Sequence, residues 1–129
     1  MKVYLAHNFA AREWLKDFVV PYIESFGHKV TSSWITDDRH LDPNYKKKSA
    51  VVDLQEIGGA GAIIFFAEQF GLAPGEGKFV ELGYAIREGK IVIVVGSGRC
   101  VFFALCSVRN VRRLEEVIPY LGGDLTRHG

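Results

Sequence analysis

Five short apolar runs, separated by longer stretches with helical spacing, limit most strongly how this chain can fold. Runs of this length fit buried strands, and between them apolar residues recur every three or four positions. Strands that alternate with helices are typical of a parallel sheet with right-handed crossovers. The sequence therefore predicts a single Rossmann-like (flavodoxin-like) doubly wound α/β domain over residues 1–129, with about five parallel strands in the order 2-1-3-4-5. The predicted strands are Lys2–Ala6, Lys29–Trp34, Gly61–Ala67, Ile91–Val95 and Ser107–Val111.

The same spacing predicts helices in the segments between and after these strands. Pro21 should kink or divide the first helix because proline has no N–H and crowds the preceding turn. Gly27 should end that helix in a left-handed conformation, and Gly58 and Gly59 should close the second. The predicted helices are Ala10–Phe26, Tyr45–Ile57, Lys78–Glu88 and Arg113–Leu121.

Charge and composition exclude several classes of protein. The formal net charge is +1, from 16 basic and 15 acidic residues. Binding to duplex nucleic acid would need a sizeable basic patch, which this balance does not indicate. The apolar runs are too short to span a bilayer. The four histidines are scattered and form no ligand pair at helical spacing, so we expect no metal and no cofactor. Cys100 and Cys106 form no CxxC pair, and a chain with this much core needs no disulfides, which indicates a cytoplasmic protein.

Ligands of doubly wound sheets bind beyond the carboxyl ends of the strands, and the loop after the third predicted strand is the most informative one there. Pro74, Gly75 and Gly77 predict a tight turn whose backbone can approach a ligand closely. A helix that begins near Lys78 would point its free N–H groups at an anion such as a 5′-phosphate. The spacing matches neither GxGxxG nor a Walker A loop.

Glu81 lies about one turn into that helix. There the helix dipole should keep its carboxylate ionised, which suits a nucleophile better than a general acid. The alternative is that Glu81 only caps the helix or pairs with Lys78 three residues before it.

The chain resembles the nucleoside 2-deoxyribosyltransferase-like superfamily, which includes 2′-deoxynucleoside 5′-phosphate N-hydrolases and CMP hydrolases. The resemblance covers nearly the whole chain in order, and its most specific element is the glycine loop that leads to Glu-Leu-Gly-Tyr-Ala. The matching segments are Val3–Ala6, Gly27–Trp34, Asp53–Leu54, Ala62–Phe66, Gly75–Ala85 and Gly89–Lys90.

This resemblance implies two catalytic carboxylates. The family's nucleophile falls on Glu81, which would attack C1′ of a sugar and form a covalent glycosyl-enzyme. Its second carboxylate falls on Asp53, which would orient sugar hydroxyls or handle a proton. On its own, Asp53 would be taken for an exposed helix residue.

The resemblance also implies a set of substrate-binding residues. Tyr4 would lie near the sugar, although strand alternation alone allows it to be a core residue. His7 and Asn8 would bind sugar or phosphate; His7 as a proton carrier is the alternative. Trp34 would stack on the base or belong to the core. Gly75 and Gly77 would hold the phosphate.

Two positions depart from the family pattern. Gly61 follows Ala60 where the family usually has an aspartate. Gly75 stands six residues before Glu81, where the deoxyribosyltransferases have an aspartate that helps to hold the base. A glycine loop there resembles that of the nucleotide N-hydrolases, which favours hydrolysis of a nucleoside 5′-monophosphate over transfer of 2-deoxyribose to a second base.

Two other functions stay open on the sequence. The Pro-Gly-x-Gly loop distantly resembles the PGGxGTxxE motif of cytokinin-activating phosphoribohydrolases. A nucleotide-binding sensor module without turnover could use the same scaffold. The family's enzymes also predict a homodimer or larger homo-oligomer, for which Phe102, Phe103 and Leu105 form a candidate apolar contact.

Overall fold

A computed structural model, which describes residues 1–67, 76–98 and 100–122, contains one parallel β-sheet. The strand order is β2-β1-β3-β4-β5, and each neighbouring pair is parallel. The α/β fold, the five strands and their predicted order are therefore confirmed. The strands are β1 (Lys2–Ala6), β2 (Lys29–Val30), β3 (Ala62–Phe66), β4 (Ile91–Val95) and β5 (Val108–Val111).

The centre of the sheet is buried because its strands are apolar along their whole length. All five residues of β3 are buried, and in β1 only Lys2 is exposed. Parallel strands covered by helices on both faces take such continuous apolar runs rather than alternating ones. Ala6 pairs with Phe65 in the register of β1 and β3, so the residues that follow both strands emerge together at one edge of the sheet.

The first helical segment changes its winding before Pro21. A 3-10 turn at Phe9–Ala11 leads into α1 (Arg12–Trp14), a π-helical turn at Leu15–Val19 and then α2 (Val20–Glu24). The N–H of Val20 donates to the carbonyl of Leu15, five residues back, and Pro21 follows with no N–H to donate. The predicted helix is thus divided, and Gly27 follows it with a φ of +89°, as predicted.

The second strand is shorter than predicted, because two side chains take over its pairing with β1. Beyond Val30 the hydroxyl of Ser32 accepts the N–H of Leu5 at 2.6 Å, and the indole N–H of Trp34 donates to the Leu5 carbonyl at 3.0 Å. The chain can therefore turn into a 3-10 helix at Ser33–Ile35 instead of continuing as a strand. The prediction of a strand up to Trp34 was wrong for this reason.

Two long helices flank the central strands. They are α3 (Tyr45–Gly59) and α4 (Glu76–Arg87). Gly58 and Gly59 are the last residues of α3 rather than its stop, and the loop before α3 contains a 3-10 turn at Arg39–Leu41. No helix among the described residues is long and apolar enough to cross a membrane.

The C-terminal part of the described chain differs from the predicted helix. Leu114–Tyr120 is a 3-10 helix with Pro119 inside it, and proline removes a donor that an α-helix would need. The three residues of the predicted apolar oligomer contact also differ in burial. Phe103 belongs to the core, with its ring 5.5 Å from that of Phe65, whereas Phe102 and Leu105 are exposed.

Candidate active site

A cavity of about 440 Å³ lies at the carboxyl edge of the sheet. This volume is in the range of small-molecule sites. The loops after β1 and β2, helix α3 and the start of α4 all contribute to its wall. Six of the predicted site residues line it: His7, Asn8, Trp34, Asp53, Gly77 and Glu81.

Glu81, in the second turn of α4, receives a hydrogen bond from the hydroxyl of Tyr4 on β1. Tyr4 is fully buried; its ring belongs to the core and its hydroxyl reaches the site. Burial and the neighbouring carboxylates raise the pKa of Tyr4 well above its ordinary value, so the phenol stays protonated and remains a donor. The predicted alternative for Glu81, an ion pair with Lys78, is absent among the described residues.

Asp53, on α3, is paired with a cation from the preceding loop. Nη2 of Arg39 lies 2.6 Å from Oδ1 of Asp53, and Nε of Arg39 lies 3.5 Å from Oδ1 of Asp37. Oδ1 of Asp37 also accepts the backbone N–H of Arg39 at 3.2 Å. Asp53 is therefore not the solvated helix residue that its position alone suggested. We call Tyr4, Arg39, Asp53 and Glu81 the carboxylate cluster.

Burial shifts the ionisation of the cluster's carboxyl groups. It raises the pKa of Glu81 to about 8, although the Tyr4 hydrogen bond and Arg39 act in the opposite direction. It also raises the pKa of Asp53, against the lowering effect of Arg39. The expectation that the helix dipole keeps Glu81 ionised was wrong, because the dipole acts within the first turn and Glu81 lies beyond it, in a desolvated site.

A second group, with the opposite charge, faces another part of the cavity. Lys78 is only 2 % exposed, and its Nζ donates to the carbonyl of Phe66 at 2.9 Å. The same Nζ lies 5.1 Å from the centre of the Phe65 ring, a cation–π distance. Burial lowers the pKa of Lys78. We call His7, Phe66 and Lys78 the lysine cluster.

The imidazole of His7 stacks on the ring of Phe66, with ring centres 5.1 Å apart and planes at 18°. Its Nδ1 accepts the N–H of Asn8 at 2.6 Å, so the neutral ring carries its proton on Nε2. Burial, and then the charge of Lys78, lower the pKa of His7 to about 4. A ring that is neutral at pH 7 suits the predicted binding role better than that of a proton carrier.

Trp34, which lines the cavity and is 9 % exposed, combines its two predicted roles. Its indole N–H is bonded to the core, so the ring is fixed at the wall. Asn8 is buried, and Gly77 has open space where a side chain would begin. Gly75, predicted to hold a phosphate, lies outside the described residues.

Arg39 was not predicted as a site residue, and Lys78 was predicted only as the start of the helix at the phosphate loop or as a partner of Glu81. The loop after β2 was expected at the functional edge, but its composition does not reveal which of its charged side chains turns inward. The signal for Arg39 was the carboxylate of Asp37 two residues earlier, which can fix such a turn by accepting a backbone N–H. The signal for Lys78 was its place directly after Gly77, where a helix enters the wall.

Solved structures with the same fold include two enzymes that act on nucleosides or nucleotides. One is a CMP N-glycosidase, BcmB, from Clostridium botulinum, with a TM-score of 0.64, 17% identity, and coverage of 94% of this chain and 98% of that one. The other is a 2-deoxyribosyltransferase from Bacillus psychrosaccharolyticus, with a TM-score of 0.69, 19% identity, and coverage of 98% and 95%. Both enzymes share the α/β fold of this chain over nearly its whole length.

The comparison confirms the resemblance at the level of the fold, which does not by itself assign an activity. The TIR domain of a Toll-related receptor from Hydra magnipapillata also matches, with a TM-score of 0.57, 16% identity, and coverage of 98% of this chain and 95% of that one. No protein-family model and no curated protein matches the sequence. Since one scaffold serves enzymes and a receptor domain, function must be argued from the site.

Proposed function

We propose that this protein cleaves the N-glycosidic bond of a nucleoside or nucleoside 5′-monophosphate through a covalent intermediate on Glu81. The observation that carries the proposal is the carboxylate cluster, in which Tyr4 holds Glu81 at the wall of a cavity that Asp53 also lines. A pure anion-binding site gains nothing from two carboxylates. A sugar that develops positive charge at its anomeric carbon is stabilised by them.

The chemistry follows from the two carboxylates. An oxygen of ionised Glu81 attacks C1′, the bond from C1′ to the base nitrogen breaks, and its electron pair leaves with the base, which takes up a proton. Water then attacks C1′, loses a proton and frees Glu81. In the transferase variant of the reaction, the nitrogen of a second base attacks C1′ instead.

The neighbours of Glu81 have separate tasks in this reaction. The Tyr4 phenol, held protonated, orients the carboxylate and leaves its second oxygen for attack. Asp53, held by Arg39, is the candidate to bind sugar hydroxyls or to take the proton from water. No step requires a metal or a cofactor.

The lysine cluster supports a substrate that carries an anionic group. Lys78 is a buried cation at the cavity wall, and among the described residues no carboxylate forms an ion pair with it. A 5′-phosphate would supply the missing charge. The 5′-monophosphate is therefore the proposed substrate form. Hydrolysis is the proposed outcome because Gly75 occupies the sequence position at which the deoxyribosyltransferases have an aspartate that helps to hold the base.

The direct test is to incubate the protein with nucleosides and nucleoside 5′-monophosphates and to measure free base by chromatography. Glu81→Gln should lower kcat by about a thousandfold or more, because a removed nucleophile leaves only binding effects. Glu88→Gln, which changes an exposed carboxylate just after the same helix, should retain full activity. A slow 2′-fluoro nucleoside 5′-monophosphate should lose its base and add the mass of its fluorinated sugar phosphate to the peptide that contains Glu81.

The pH profile provides a second reading of the same proposal. Since Glu81 must be ionised to attack, kcat/KM should rise with pH toward a plateau above about 8.

Absence of free or exchanged base from every substrate would refute the proposal and favour a binding module. A labelled peptide without Glu81 would place the nucleophile elsewhere.

A further inference from the structure

The loop between β2 and α3 delivers Arg39 to the cavity in a fixed orientation. Its backbone N–H and its Nε both point at Oδ1 of Asp37, at 3.2 and 3.5 Å, and its Nη2 reaches Asp53 at 2.6 Å. The side chain is only 13% exposed. Two different parts of the chain therefore hold the guanidinium, and surface arginines are rarely fixed in this way.

Arg39 is also the cation that acts on the buried carboxyls of the site. Glu81 is faced by Tyr4 from β1, by Asp53 and Glu56 from α3 and by Arg39 from the loop. The positive charge of Arg39 lowers the pKa of Glu81, Asp53 and Glu56, whereas each carboxylate raises the pKa of another. Lys78, though three residues from Glu81 on α4, is directed to the Phe66 carbonyl instead.

A cation lowers the pH at which the cluster can hold both of its acidic members ionised. Two carboxylates in one desolvated site raise each other's pKa, and without a cation the second of them would ionise only at a still higher pH. Glu81 needs its negative charge to attack, and Asp53 needs one to accept a proton or bind hydroxyls. Asp37 and Asp53 together leave one net negative charge around Arg39, so the site remains attractive to a positively charged sugar ring.

We propose that Arg39 is a positioning residue of the active site, which fixes the Asp53 carboxylate and supplies the charge that allows Asp53 and Glu81 to be ionised together. This rests on the proposed function. It assigns to the loop after β2 a role in setting the working pH of the enzyme, separate from contact with the substrate.

The two parts of this role are separable by substitution. Arg39→Lys keeps the charge but loses the planar fork that aligns Asp53. For this variant the acid limb of the pH profile, where kcat/KM falls as pH decreases, should lie at the same pH as in the wild type. Its kcat should be about tenfold lower because Asp53 is no longer aligned. Arg39→Met loses both. Its acid limb should move up by about one pH unit, which together with lost alignment lowers kcat/KM at pH 7 by about 100-fold.

The chain offers a matched control in a second ion pair between the same loop and the same helix. Lys48 on α3 pairs with Asp42, and its side chain is 62% exposed. Lys48→Met should leave the acid limb and kcat unchanged, because an exposed pair contributes little. Thermal melts of all three variants should accompany the kinetics, so that loss of folded protein is measured rather than inferred.

A titration of Glu81 by carbon NMR of its labelled carboxyl group tests the charge effect without turnover. Arg39→Met should raise the Glu81 titration midpoint, and Arg39→Lys should not. An unchanged midpoint and acid limb in Arg39→Met would overturn the proposal. If Arg39→Met does not fold, Arg39→Lys decides: wild-type kcat, or a displaced limb, would overturn it. A wild-type protein that releases no base refutes the proposed function, yet the NMR midpoints still test the charge effect.

Discussion

The carboxylate cluster and the lysine cluster each take one charged residue from the same helix, yet burial shifts the pKa values of the two residues in opposite directions. Glu81 and Lys78 are three residues apart on α4, a spacing that places side chains on adjoining parts of one helix face. Desolvation raises the pKa of the first and lowers the pKa of the second. Burial therefore disfavours the charged form of both, whereas a substrate phosphate would favour a charged Lys78 and the positive charge that develops on the sugar in the transition state would favour an ionised Glu81.

The difference between the clusters lies in their partners. Each buried acid of the carboxylate cluster has a side-chain partner, a phenol for Glu81 and a guanidinium for Asp53. In the lysine cluster, Lys78 donates to a backbone carbonyl and lies against aromatic rings. The first arrangement fixes its carboxylates, and the second leaves a cation that no carboxylate pairs with among the described residues. The proposed function therefore assigns catalysis to the first cluster and recognition to the second, and three predictions test this separation.

The largest effect is expected for Lys78 in the lysine cluster. Lys78→Met should lower kcat/KM for a nucleoside 5′-monophosphate by about 10- to 100-fold, the effect of a lost hydrogen bond to a charged group. For the free nucleoside it should change little. Lys90→Met is the control, because Lys90 also donates to a backbone carbonyl, at 2.8 Å on Gly58, but is not among the residues that line the cavity. Equal losses for both substrates would show that Lys78 does not discriminate the phosphate.

An intermediate effect is expected on the stability of the fold, through Glu81 in the carboxylate cluster. The pKa of Glu81 is raised from 4.5 to about 8, so the folded state binds its proton more tightly and loses stability as pH rises between these values. Glu81→Gln should therefore increase the free energy of unfolding at pH 8 and change it little at pH 4.5. Denaturant unfolding at both pH values measures this. A gain of the same size at both would refute a pKa shift as its cause, and Glu88→Gln should show no such difference.

The smallest effect is expected for His7, whose contribution to stability changes with pH in the direction opposite to that of Glu81. Its pKa is lowered from 6.5 to about 4, so the stability that its neutral form contributes is present above pH 6.5 and is lost as pH falls toward 4. His7→Gln should reduce this loss. Proton NMR of the His7 imidazole ring should show it neutral at pH 5.5. A midpoint near 6.5 would contradict the burial argument.

Most of the fold could be predicted because periodicity reports burial directly. The fully apolar β3 and the glycine after α2 follow from local patterns. The length of β2 could not be predicted, since Ser32 and Trp34 end it by hydrogen bonding to Leu5, far away in sequence. In the site, Glu81 and Asp53 could be named from the resemblance. Arg39 could not, because only the folded loop decides which charge turns inward.

The position of Trp34 also has a spectroscopic consequence. The protein contains two tryptophans, and they differ in surroundings: Trp34 is fixed at the cavity wall by its bond to Leu5, whereas Trp14 is 37% exposed. An indole clamped in an apolar wall emits at shorter wavelength than one in water, and a ligand bound against that indole would change its emission. The molecule thus carries an intrinsic fluorophore at the cavity, and occupancy can be followed without a label or turnover.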